Sequence, residues 1–73
     1  MNALIGTNGR RPEQPAVEIL YTTGFQLHAQ ERYRDAAHVF QIMLQAAPTD
    51  ERGWLALADC HEKLGQHYIA LEL

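Results

Sequence analysis

No serine occurs anywhere in this 73-residue chain, which removes a serine nucleophile and every mechanism built on one. Cys60 is the single cysteine, so no internal disulfide can form, as suits a reducing compartment. Long hydrophobic runs are missing as well. The longest, Trp54 to Ala58, spans five residues, against the about 20 that cross a bilayer. Near the N-terminus, Arg10 and Arg11 follow the short Ala3-Leu4-Ile5 instead of preceding an apolar stretch, which is not the order of a secretory signal. Bases are scarce: 6 Lys+Arg stand against 9 Asp+Glu, for a formal net charge of −3. Residues 16–73 hold 4 of those bases and 8 of the acids. Binding to phosphate would be electrostatically opposed there.

Sequence spacing removes further chemistries. Gly6-Thr7-Asn8-Gly9 is not followed by the lysine that a phosphate-binding loop requires. His28, His38, Cys60, His61 and His67 show no CxxC, HxxxH or HExxH spacing, so no metal site is expected. Cys60 and His61, being neighbours, point to different faces of any helix. A DNA-reading helix would have to be basic, yet Tyr33 to Ala47 carries Arg34 as its only Lys or Arg. No catalytic residue and no cofactor are expected.

What remains is a globular composition, 47% apolar and 21% charged. One domain fits in this length, and its core is small: a 60-residue domain buries only about 60% of its unfolded surface. Residues 1–15 read as a disordered tail, with seven of them Asn, Gly, Thr or Pro. The helical domain is expected over 16–73. Pro15 suits a first helical turn, and Val17, Leu20, Tyr21, Gly24, Leu27 and His28 then recur at three- and four-residue spacing. After a polar break at Gln30-Glu31-Arg32, a second helix runs from Tyr33 to Ala47. Ala36, Ala37, Val39, Phe40, Met43 and Leu44 face inward on it, apolar enough for packing on more than one side. Asp35 and His38, three apart, suggest a surface pair.

Pro48 stops the second helix, and Thr49 is the expected N-cap of a third, with Asp50 and Glu51 in its first turn. Trp54, Leu57, Ala58, His61 and Leu64 form its expected inward stripe. Gly65 reads as a left-handed stop, and a fourth helix is expected from Gln66 to Leu73. The thiol of Cys60 reads as a small buried hydrophobe, with no base a turn away to stabilise a thiolate. The fold class is all-α, with short turns that set neighbouring helices antiparallel.

Two helix starts, near Val17 and Glu51, lie 34 residues apart. At that offset Leu20 aligns with Trp54 and Gly24 with Ala58, although Ala36 with Ala70 is the only identity. A repeat with a large apolar residue at its fourth position, a small one at eight, alanine at twenty, an aromatic at twenty-four and proline at thirty-two fits better. The first unit offers Leu20, Gly24, Ala36, Phe40 and Pro48, and the second offers Trp54, Leu57, Ala58, Gly65 and Ala70. This pattern resembles the tetratricopeptide repeat, present as about one and two-thirds repeats. Packing explains the spacing: Gly24 or Ala58 must be small where Ala36 or Ala70 approaches, with Phe40 and Trp54 filling the volume on either side. Glu31 stands where that family usually has a glycine.

A narrower resemblance runs over residues 19–73. Leu20-Tyr21, Tyr33-Arg34-Asp35-Ala36-Ala37, Val39-Phe40-Gln41, Leu55-Ala56-Leu57-Ala58-Asp59-Cys60 and Gly65-Gln66-His67-Tyr68-Ile69-Ala70 resemble the N-terminal part of tetratricopeptide chaperones of bacterial type III secretion. The similarity is greatest to the class II chaperones of translocator proteins, with the needle-subunit chaperones close in fold. It implies a cytoplasmic, non-enzymatic chaperone whose concave groove holds an extended client segment, often as a dimer. A generic tetratricopeptide scaffold for protein–protein contacts is the alternative. On such a helix pair Glu18, Tyr21, Phe25 and His28 would line the concave face, joined by Arg52, Leu55, Asp59, Glu62 and Lys63. Tyr21, Phe25 and Leu55 would be apolar anchors, with His28, Asp59 and Glu62 meeting client backbone at the edges. Ile69, Leu71 and Leu73 would leave an apolar edge for a homodimer or larger assembly.

Overall fold

The computed structural model describes the backbone of residues 14–72 and the side chains of residues 15–66. The chain forms three helices, α1 (Gln14–Ala29), α2 (Tyr33–Ala46) and α3 (Glu51–Glu72), with no strand among the described residues. α2 packs on α1 along one side and on α3 along the other. Its apolar circumference has this cause: Ala36, Ala37, Phe40, Met43 and Leu44 are all buried. Val39 is only half-buried. With Val17 and Cys60, these residues make up the core.

α1 begins at Gln14, so Gln14 and Pro15 belong to the helix and not to the preceding tail; residues 1–13 lie outside the described part. Pro15 falls in the first turn, where its missing N–H leaves no intrahelical partner unmet. At the other end the chain reverses through two hydrogen bonds. Arg32 N–H donates to Leu27 C=O at 2.9 Å and Glu31 N–H donates to His28 C=O at 2.9 Å. This is the Schellman closure, which needs one residue in the left-handed region. Glu31 occupies that position at φ 62°, without glycine's freedom.

Gly24 is small for a more specific reason than the approach of Ala36. A Cβ built there would lie 2.5 Å from both Cε1 and Cζ of Phe40. The ring of Phe40, 1% exposed, lies across the glycine and closes the α1–α2 interface. Gly53 does the same between α3 and α2, where a Cβ would stand 2.7 Å from Leu44 Cδ2.

α3 departs from its expected form in four ways. Its cap is Asp50, whose Oδ1 accepts from Arg52 N–H at 3.0 Å, not Thr49. The helix starts at Glu51, one residue later than a Thr49 cap would place it. Its packing face is the stripe of Gly53, Ala56, Leu57 and Cys60, with Gly53 and Cys60 buried. Trp54 is instead 54% exposed and donates from Nε1 to Pro48 C=O at 2.7 Å, while Ala58 and His61 are exposed. Finally, α3 runs straight through Gly65 to Glu72, so the expected stop and separate fourth helix are replaced by one helix of 22 residues. Among the described residues, nothing lies within 4 Å of a Cβ at Gly65. The side chains of the expected dimer edge at Ile69, Leu71 and Leu73 lie outside the described residues.

Asp35 also finds a different partner. It pairs with Arg32, at 2.7 Å to Nη2 and 3.1 Å to Nε, instead of with His38.

Candidate functional site

α1 and α3 run in the same direction on either side of α2, and each presents one stripe on the same side of the molecule. On α1 the stripe is Glu18, Tyr21, Phe25 and His28, and on α3 it is Arg52, Leu55, Asp59 and Glu62. Both have the spacing i, i+3, i+7, i+10, which holds side chains on one helical face. Each residue of the first has its counterpart 34 positions later in the second.

Two cross-helix links join the stripes. At the N-terminal end, Arg52 Nη2 and Nη1 donate to Glu18 Oε2 and Oε1 at 2.7 and 3.2 Å. The same guanidinium donates to Asp50 at 2.8 and 3.1 Å and lies 4.5 Å over the centroid of the Tyr21 ring. Such a two-sided fork is a geometry that arginine can make and lysine cannot. At the other end, His28 Nε2 meets Asp59 Oδ2 at 2.5 Å. Helix rise places His28 about 15 Å along α1 from Glu18.

Between these links lies an apolar window. Phe25 is 49% exposed and Leu55 70% exposed. Tyr21 is half-buried, edge-on to Phe25 with centroids 4.8 Å apart, and it packs against the core. Both rings stand 6.3 Å from Phe40. The six expected site residues therefore divide. Phe25, Leu55 and Glu62 are open, Tyr21 is a partly buried floor, and His28 and Asp59 are taken up by each other. Two residues of this site, Glu18 and Arg52, were expected on the concave stripe, but their mutual bond carries no local sequence signal.

Electrostatics holds the first link. The hydrogen bond from Arg52 lowers the Glu18 and Asp50 carboxyls below their ordinary values of 4.5 and 3.8. In return, Asp50 and then Glu18 hold the guanidinium more firmly charged. Because both carboxyls are depressed on folding, their stabilisation is full above those ordinary values and is lost as pH falls through the lower folded ones. Thermal melts of the wild type and of Arg52→Gln should therefore separate near neutral pH and converge below about pH 4. A gap unchanged down to about pH 2 would show that the link does not persist in solution.

Burial, followed by the nearby Asp59 charge, raises the thiol of Cys60, which makes it a packing group and a poor nucleophile. Among the described residues no group of His, Cys, Asp and Glu side chains could hold a metal ion. Nor is any described helix long and apolar enough to cross a membrane.

A tetratricopeptide-repeat profile matches residues 27–72, well over half of the chain. The chain belongs to the tetratricopeptide-repeat family. No curated protein and no solved structure shows a significant match. The match takes in the last residues of α1 and the whole of α2 and α3. Glu18 and Arg52, 34 residues apart in sequence, are neighbours across α1 and α3. Tetratricopeptide repeats are typically non-enzymatic protein-interaction modules, and protein partners are the general implication.

Proposed function

We propose that this tetratricopeptide protein is a non-enzymatic binding module that holds an extended segment of another protein against α1 and α3. The observation that carries the reading is the window of Phe25 and Leu55. Two large apolar side chains stand open to solvent while cross-helix links fix their helices on both sides. Rigid apolar anchors with a polar rim are what an interface hot spot requires. An extended ligand also suits a groove between two parallel helices.

The finer proposal is a chaperone of bacterial type III secretion, acting in the cytoplasm on a translocator or needle-subunit client and assembling as a homodimer or larger oligomer. Its support is the resemblance of residues 19–73, with Tyr21, Phe25, His28, Leu55, Asp59 and Glu62 as the peptide-binding set. A general tetratricopeptide scaffold is the second reading, favoured by the repeat match alone. Co-expression with a translocator separates the two: a secretion chaperone should keep the otherwise insoluble client in solution.

Phe25→Ala with Leu55→Ala should abolish that effect. Leu55 is largely exposed and Phe25 half-exposed, so the variant should keep the helical content of the parent with a modest loss in melting temperature. Full client solubility with the double variant would place binding elsewhere. No effect of the wild type on translocator or needle clients would leave the scaffold reading.

A further inference from the structure

Charges around the Phe25–Leu55 window are strongly one-sided. The carboxylates of Glu18, Asp50, Asp59 and Glu62 line or flank it, against the single guanidinium of Arg52 and the imidazole of His28. Arg52 is already shared between Glu18 and Asp50, and His28 is held by Asp59. Both groups are thus committed inside the wall. Glu62 continues the Leu55–Asp59 stripe, is exposed, and has no hydrogen bond or ion pair among the described residues. Lys63, four residues after Asp59 and half-buried, borders the same face, so the wall still carries four carboxylates against two basic side chains and one imidazole. Toward a ligand, the wall offers apolar contact at Phe25 and Leu55 and negative charge one to two turns further along α3.

Resting on the groove reading above, we infer that the occupant is an extended segment carrying an apolar anchor and a lysine or arginine two or three positions from it. The spacing follows from geometry. Leu55 and Glu62 are seven residues apart, about 10 Å along a helix axis, which an extended chain covers in about three residues. A basic side chain at that distance meets Glu62 and the exposed part of Asp59 while the anchor rests on Phe25 and Leu55. An acidic residue in the same place meets the carboxylates of Glu62 and Asp59, with Lys63 the one base of the wall left to offset them. The link residues have a further consequence: neither Arg52 nor His28 can turn toward a ligand carboxylate without giving up its partner across the groove.

Two capped, fluorescein-labelled peptides of nine residues test this, each with one leucine and either lysine or glutamate three positions on, in an uncharged background. Fluorescence anisotropy with the full chain should show the lysine peptide bound roughly three- to ten-fold more tightly at low salt, narrowing as salt is raised. Glu62→Lys, an exposed change that the fold should tolerate, should reverse the order of the two peptides. Equal binding of both, or an order that Glu62→Lys leaves unchanged, overturns the charge preference while the groove remains. Failure of both peptides to bind would overturn the groove reading together with this one.

Discussion

Phe40→Ala is expected to leave the chain largely unfolded. The ring is fully enclosed between Gly24 on α1 and the Ala36–Met43 face of its own helix, and Cys60 from α3 joins the same cluster. Truncating a buried phenylalanine costs about 3–5 kcal/mol. Cores of this size rarely supply more than about 3–5 kcal/mol in total, so one substitution removes most of the margin. Far-ultraviolet circular dichroism should show a large loss of helix at room temperature, and urea titration should give little or no folded baseline.

Gly24 gives the same contact from the other side. Alanine there places a methyl group 2.5 Å from two ring carbons, and overpacking of that kind costs about 1–3 kcal/mol. Better helix propensity returns about 1 kcal/mol of it. Retreat of the ring is opposed by Ala36, Met43 and Cys60, which belong to the same cluster and are fully buried. Gly24→Ala should therefore destabilise, and adding Phe40→Leu should restore part of the loss by shortening the side chain. A double-mutant cycle with no coupling would mean that the ring does not lie over Gly24.

Much of this architecture was legible because bulky residues mark it. α2 is read correctly from Ala36, Ala37, Phe40, Met43 and Leu44, and its end from Pro48, since large apolar groups at helical spacing have few alternative placements. α3 was misread for the converse reason. Its inward positions include a glycine and a cysteine, whereas the conspicuous Trp54 lies outside. Hydrophobic size points to the wrong stripe when the interface needs small residues for close approach. The candidate site shows a similar division. Both stripes can be drawn from the 34-residue offset, and the structure keeps them on one side of the molecule. Yet His28 and Asp59, separately plausible as ligand-binding groups, bond to each other. Pairing across helices depends on their stagger, and a helical wheel does not contain it.

Glu31 and Gly65 hold equivalent repeat positions, 34 residues apart, and their backbones do opposite things. Glu31 turns the chain at φ 62°, and Gly65 lies inside a continuous helix in open space. Each residue type would suit the other's place. A non-glycine residue in the left-handed region costs about 1–2 kcal/mol, from which glycine's greater loss of freedom on folding subtracts up to about 1 kcal/mol. Glu31→Gly should therefore stabilise by about 0.5–1 kcal/mol. Gly65→Ala should add about 0.8–1 kcal/mol, the difference in helix propensity, because a Cβ there meets nothing. No described atom lies within 4 Å of a Cβ at Gly65, so the effects should sum, and the double variant should melt on the order of 10 °C higher. Gly65→Ala alone decides whether α3 is straight in solution. A left-handed stop at Gly65 would make alanine destabilising by about 1 kcal/mol, whereas an uninterrupted helix makes it stabilising. The sign of one melting shift thus separates a folded-back second helix pair from the long α3, and with it whether Trp54 and Ala58 stay uncovered.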